Sequence, residues 1–135
     1  MLARTPEQAV ALADEAFNRG DIDGMLAFYE DEAIMLFEPG RKVRGKAALR
    51  GVLETLLALK PIAKHEQAHV IESGDLALWT SKWNVSGIGP DGTPISRTGC
   101  NSVVFRRGID DGWRVAVENP WGSTVLEPTS DSLTK

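Results

Sequence analysis

The stretch from Phe17 to Gly40, FNRGDIDGMLAFYEDEAIMLFEPG, limits what this chain can fold into more than any other. Gly20 stands where a helix C-terminus wants left-handed backbone, a conformation open to glycine at no steric cost. Asp21 is placed to cap a second, short helix. Ile22, Met25, Leu26 and Tyr29 then follow at i, i+3, i+4 and i+7, a single apolar helical stripe that the acidic run Glu30-Asp31-Glu32 is expected to end. Ala33 to Phe37 reads as a strand, halted by Glu38-Pro39-Gly40. Helix, short helix and strand inside two dozen residues require tightly packed layers.

The segments on either side fit that demand. Thr5-Pro6-Glu7-Gln8 is a helix start, with Thr as cap, Pro at the first helical position and Gln three residues after the cap. Ala9, Val10, Leu12, Ala13, Ala16 and Phe17 give this helix a broad apolar face, and its alanines allow close approach to a sheet. Arg41 to Arg44 makes a short second strand. Gly45 opens a third helix with Leu49, Val52, Leu53, Leu56 and Leu57 on one face, and Pro61 ends it. From there the pattern is β. Strands are expected at 62–73, 76–87, 95–106 and 113–118, divided by Ser73-Gly74-Asp75, by the turn-rich 89–94 and by 108–112. Trp79, Ser81, Trp83 and Val85 share one face of their strand; Asn101, Val103 and Phe105 share one face of the next, with Cys100, Ser102 and Val104 opposite. Three helices followed by an antiparallel meander, extended by two early strands, predict an α+β layer arrangement.

Length and charge narrow the function classes. At 135 residues the chain is expected to be one domain over 1–126, with a flexible tail over 127–135. No apolar run approaches the roughly 20 residues that span a bilayer, and no secretory leader pattern opens the chain, so a cytoplasmic protein without a membrane partner is expected. The net charge of −4 argues against nucleic acid, which needs a clustered basic surface. Arg41, Lys42, Arg44 and Lys46 are close in sequence, but read as a solvated loop and helix start. The single cysteine, Cys100, excludes an internal disulfide and Cys-based zinc motifs, and reads as buried packing. No phosphate-binding glycine loop or nucleophile elbow occurs.

Asn18-x-Gly20-Asp21-x-Asp23-Gly24, Tyr29-x-Asp31-x-Ala33 and an acid before Pro39 together resemble the opening of the ketosteroid-isomerase-like, SnoaL-like superfamily, which also includes nuclear transport factor two. Trp113-Arg114-Val115 and Glu118-Asn119-Pro120-Trp121-Gly122 resemble the end of its uncharacterised members, so the likeness brackets Thr5 to Ser123. The resemblance implies a cone-shaped, cystatin-like fold. In such a fold a curved, mostly antiparallel sheet and three helices on its concave face enclose a pocket for a small organic molecule. It also implies a homodimer through the outer sheet face, which the apolar residues on both faces of the late strands would permit.

A carboxylate in an apolar pocket suits proton transfer near neutral pH. Glu38, at the end of a very apolar strand and followed by Pro39, is the candidate catalytic residue. In the resembled isomerases an Asp before Pro is the proton-shuttling base, and Glu38-Pro39 matches it after a one-residue deletion. The alternative for Glu38 is a solvated turn carboxylate. The isomerase's helix tyrosine falls at Ala13 and its second acid near Asn101 or Ser102, so its oxyanion hole is absent in that form and classical steroid isomerisation is not expected. Trp79, Trp83, Asn101, His69, Asn119 and Trp121 are candidate ligand-binding residues. His65 and His69, four apart on an expected single strand face, would lie about 13 Å apart, too far to share a metal ion. No metal and no cofactor are expected. Three classes remain open: a cofactor-independent isomerase, cyclase, dehydratase or hydrolase; a non-catalytic binder; and a dimerisation module.

Overall fold

The computed structural model describes residues 2–127; the expected tail, apart from Glu127, lies outside the described residues. Helix α1 runs Pro6–Asn18, α2 Ile22–Leu26 and α3 Lys46–Leu57; strands β1 to β6 run Tyr29–Glu38, Arg41–Arg44, Ile62–Ser73, Leu76–Ile88, Pro94–Arg107 and Trp113–Asn119, and a 3₁₀ turn covers Gly122–Leu126. The strands form one curved, unclosed sheet in the order β2-β1-β6-β5-β4-β3. Every pair is antiparallel except β1 with β6. Among the described residues no helix is long and apolar enough to cross a membrane.

The start of the chain folds as its local chemistry dictates. Thr5 Oγ1 accepts from Gln8 N at 3.0 Å, and Gln8 Oε1 reaches back to the Arg4 N–H at 2.6 Å. At the far end of α1, Asp21 N donates to Ala16 O and Gly20 N to Phe17 O, a Schellman closure made possible by Gly20 at φ 76°. Asp21 Oδ1 then caps α2 through Gly24 N at 2.9 Å. The second helix is shorter than its stripe predicts. It stops at Leu26, and the chain is already extended at Tyr29, so the acidic run lies inside β1 rather than at a helix end. The parallel pairing of Tyr29 with Val115, with Val115 N donating to Phe28 O, draws these residues into the sheet.

The helices cover the concave face. Leu49 and Leu53 of α3, Ala9 and Phe17 of α1 and Leu26 of α2 pack on Ala33, Met35, Ala77, Trp79, Val103, Phe105 and Val115. Fully burying each larger side chain contributes about 1.5–3 kcal/mol. Cys100 departs from expectation: its strand face is the convex one, and it is exposed.

Two β-bulges decide which side chains the concave face receives. In β3, Glu66 pairs with Lys82 and His69 with Thr80, so Gln67 and Ala68 together oppose Ser81. Gln67 adopts φ 52° to make that extra residue. In β6, Val117 pairs with Val104 and Val115 with Phe105, which leaves Ala116 as the extra residue. Side-chain direction reverses across each bulge.

Candidate functional site

The bulge at Gln67 separates the two histidines. His65 lies opposite Trp83 on the concave face, whereas His69 lies opposite Thr80 on the convex face and is exposed. They do not share a face, as an unbroken strand would require. The bulge at Ala116 likewise turns Glu118 inward beside Val103, on the same face as Val115. Strict alternation would have sent one of Val115 and Glu118 outward.

Two pairs of ionisable side chains result. His65 Nδ1 lies 2.7 Å from Asp14 Oδ2, reaching from β3 to α1. A carboxylate at that nitrogen fixes the tautomer, so Nδ1 carries the hydrogen and Nε2 is left for other work. The Tyr29 hydroxyl donates to Glu118 Oε1 at 2.5 Å, linking β1 to β6. The pairs act on each other. Desolvation lowers the pKa of His65, but the hydrogen bond and charge of Asp14, helped by the charge of Glu118, outweigh it and leave the imidazole above its ordinary 6.5. Desolvation raises Glu118 above its ordinary 4.5, and the Tyr29 hydrogen bond and the His65 charge only partly oppose it. The residue retains some accessible surface, so this desolvation comes from the enclosing concave face rather than from sealing of the whole side chain. Tyr29, fully desolvated beside Glu118, is raised well above a normal phenol.

A chain of hydrogen bonds runs beside them across the floor. Trp79 Nε1 donates to Ser81 Oγ at 2.9 Å, and Ser81 Oγ donates to Asn101 Oδ1 at 2.7 Å. Asn101 is only 3% exposed, and with Oδ1 engaged its remaining hydrogens are those of the amide nitrogen. The Trp83 indole packs against Gly99, where a Cβ would come within 2.6 Å of the ring, and its Nε1 donates to Pro120 O at 2.6 Å.

The other sequence candidates lie elsewhere. Glu38 sits at the end of β1 where the register with β2 slips; its side chain is 54% exposed and 3.7 Å from Arg41 Nη1. The Glu38 carboxylate is therefore solvated and beside a cation rather than enclosed. Asn119 closes the turn after β6, accepting from Trp121 N and donating to Gly122 O. Trp121 donates from Nε1 to Leu36 O and Phe37 O, tying that turn to the end of β1. Trp79 packs edge-on against Phe105 within the core. A cleft of about 270 Å³ opens between the ends of α1 and α3 and the start of β3, lined by Phe17, Asn18, Leu57, Lys60 and Ile62 among others. None of the four paired groups lines it, so the chemistry and this cleft are separate features. Among the described residues no three His, Cys, Asp or Glu side chains are grouped to hold a metal ion.

A sequence model of the SnoaL-like domain matches residues 9–118. The chain belongs to the SnoaL-like family. This SnoaL-like domain also shares its fold with solved structures. A nuclear transport factor 2-like protein with a cystatin-like fold from Novosphingobium aromaticivorans is 20% identical, with a TM-score of 0.74 over 94% of this chain and 83% of that one. A ketosteroid isomerase-like protein from Erwinia carotovora atroseptica is 23% identical, with a TM-score of 0.71 over 84% of this chain and 89% of that one. A nuclear transport factor 2 superfamily protein from Salmonella enterica serovar Typhimurium is 16% identical, with a TM-score of 0.75 over 83% and 84%. No curated protein matches the sequence.

Asp14, Tyr29, His65 and Glu118 are functional candidates to which the sequence assigned no catalytic or binding role: Tyr29 and Glu118 stood there only within the motifs of the family resemblance, and His65 only as half of a histidine pair. One of them is legible in the sequence. Asp14 falls within the apolar stripe of α1, between Val10 and Phe17, where a carboxylate needs a reason.

Proposed function

We propose that this SnoaL-like domain is a cofactor-independent acid–base enzyme acting on a small, largely apolar organic molecule. The reaction class is isomerisation, cyclisation, dehydration or hydrolysis. The observation that supports it is the concave-face pairing of His65 with Asp14 and of Glu118 with Tyr29 among apolar neighbours. In this reading His65 Nε2, held in place through Asp14, exchanges a proton with the substrate. Glu118, with its raised pKa, carries the complementary proton, and Tyr29 steadies it. The Asn101 amide supplies a donor to a substrate oxygen, and Trp83 forms a flat apolar wall. The acid–base role thus passes from Glu38 to groups inside the cone.

The test is a panel of cyclic hydroxyketones, enones, epoxides and lactones, followed by mass spectrometry and by deuterium incorporation from heavy water. Conversion or exchange is expected, and should fall on the order of 10²-fold or more in His65→Gln and in Glu118→Gln. Glu38→Gln should leave it unchanged. Turnover that survives both interior substitutions sinks the proposal; tight binding without conversion points instead to a non-catalytic binder.

The homodimer belongs to the same proposal. On the convex face Ile71, Leu78, Val104, Val117 and Ile34 are successive cross-strand partners over five strands. Ile71, Leu78 and Val117 are 55%, 43% and 46% exposed in the single chain. Such a continuous apolar row on a sheet face suits burial against a second copy.

A further inference from the structure

Helix α1 meets the edge of the sheet at two points. β3 is an outermost strand, so alternate backbone groups along it have no neighbouring strand. At Ala63 both groups are taken by one side chain: Asn18 Nδ2 donates to Ala63 O at 3.0 Å, and Ala63 N donates to Asn18 Oδ1 at 2.6 Å. The amide of Asn18 thereby stands in for the peptide of a missing strand. One helical turn earlier, Asp14 engages His65, two residues along the same strand face. The spacings match. Four helical residues rise about 6 Å, and two strand residues rise about 6.6 Å, so an antiparallel helix and strand can meet at both points without distortion.

We infer that Asn18 is the positioning residue of the Asp14–His65 pair, fixing the last turn of α1 to β3 so that Asp14 stays on His65 Nδ1. Asn18 is exposed, so its hydrogen bonds fill no buried need, and they add little to stability beyond the ordinary about 0.5–1.5 kcal/mol each. Their consequence is geometric. A helix end that frays moves Asp14 away, frees the imidazole to rotate, and releases the Nε2 direction. The charged or titratable groups acting on His65 are Asp14 from α1 and Glu118 from β6; its neighbour across β4 is the neutral Trp83. Loss of the clamp therefore removes the stabilising partner and leaves desolvation, which favours the neutral ring.

The consequence for catalysis rests on the acid–base reading above, but the test reads the imidazole directly. His65 and His69 are the two histidines of the chain, and exposed His69 on the convex face serves as an internal reference. Nitrogen-15 NMR titrations of the full chain would compare the wild type with Asp14→Asn, Asn18→Ala and Asn84→Ala. The last removes an exposed β4–β3 hydrogen bond, Asn84 Nδ2 to Glu66 Oε1, on the convex face. Asp14→Asn should lower the His65 pKa. Asn18→Ala should lower it by at least half as much and blur its tautomer signature; Asn84→Ala should leave His65 as in the wild type. A His65 titration in Asn18→Ala that superimposes on the wild type overturns the inference. So does an equal change in Asn84→Ala, which would mean general loosening of β3. If Asn18→Ala does not fold, Asn18→Ser, too short to reach both Ala63 atoms, carries the same expectation and the same refutation. An inactive protein with an intact Asn18 effect would sink the enzyme reading alone.

Discussion

Tyr29 and Glu118 stand at opposite ends of the chain and meet through the parallel contact of β1 with β6. Their pair gives a pH dependence whose sign can be worked out. Glu118 and His65 both have folded-state pKa values above their ordinary 4.5 and 6.5, so each binds its proton more tightly in the folded chain. The stability they contribute is complete below those ordinary values and is lost as pH rises through the raised ones. Thermal melts from about pH 4 to about pH 9 should therefore show stability falling in two windows, one opening above 4.5 and one above 6.5. Glu118→Gln should flatten the first, and His65→Gln the second. Tyr29→Phe should move the first window upward, because it removes the hydrogen bond that opposes Glu118's desolvation. A melting temperature that rises across this range would contradict the assignment.

Among the elements, β4 and β5 form the floor, and a glycine sets its shape. Gly99 lies opposite Trp83, and the indole occupies the space where a side chain would begin. Gly99→Ala should displace the ring, break its bond to Pro120 O and cost about 1–3 kcal/mol through overpacking. Denaturation midpoints and a shift in tryptophan emission would report it; unchanged values for both would mean the ring does not rest there in solution. The N-terminal cap of α1 offers a calibration. Thr5→Ala should cost about 1 kcal/mol, measured by the same denaturation, with no change in the titration of His65.

For the whole molecule, the two faces of the curved sheet differ: the concave side carries the ionisable pairs, and the convex side carries the apolar row through Leu78 and Val117. Sedimentation at micromolar concentration should give a dimer, and Leu78→Lys with Val117→Lys should give a folded monomer. A wild-type monomer would refute the assembly. Val117 belongs to the convex row while its neighbour Glu118 belongs to the site, so the double variant should also be titrated to learn whether convex-face contacts steady the acid.

Local chemistry determined the helix starts, the turn at Gly20, the strand order in sequence and the α+β class, because caps, glycine turns and hydrophobic periods act within a few residues. The family was legible for the same reason: its marks, from Asn18 to Gly24 and from Trp113 to Gly122, are short stretches that can be read along the chain without knowing what they meet in the fold. Asp14 was half legible, as a carboxylate inside an apolar stripe. Only the tertiary structure decided where β1 begins, since Tyr29 leaves the helical pattern to pair with Val115. It also decided which ionisable side chains meet on the concave face. Sequence alternation gives His65 and His69 one face and keeps Glu118 off the face of Val115; the bulges at Gln67 and Ala116 reverse both assignments. A bulge arises from register between strands that meet only on folding, and Gln67 and Ala116 carry no residue chemistry that announces one.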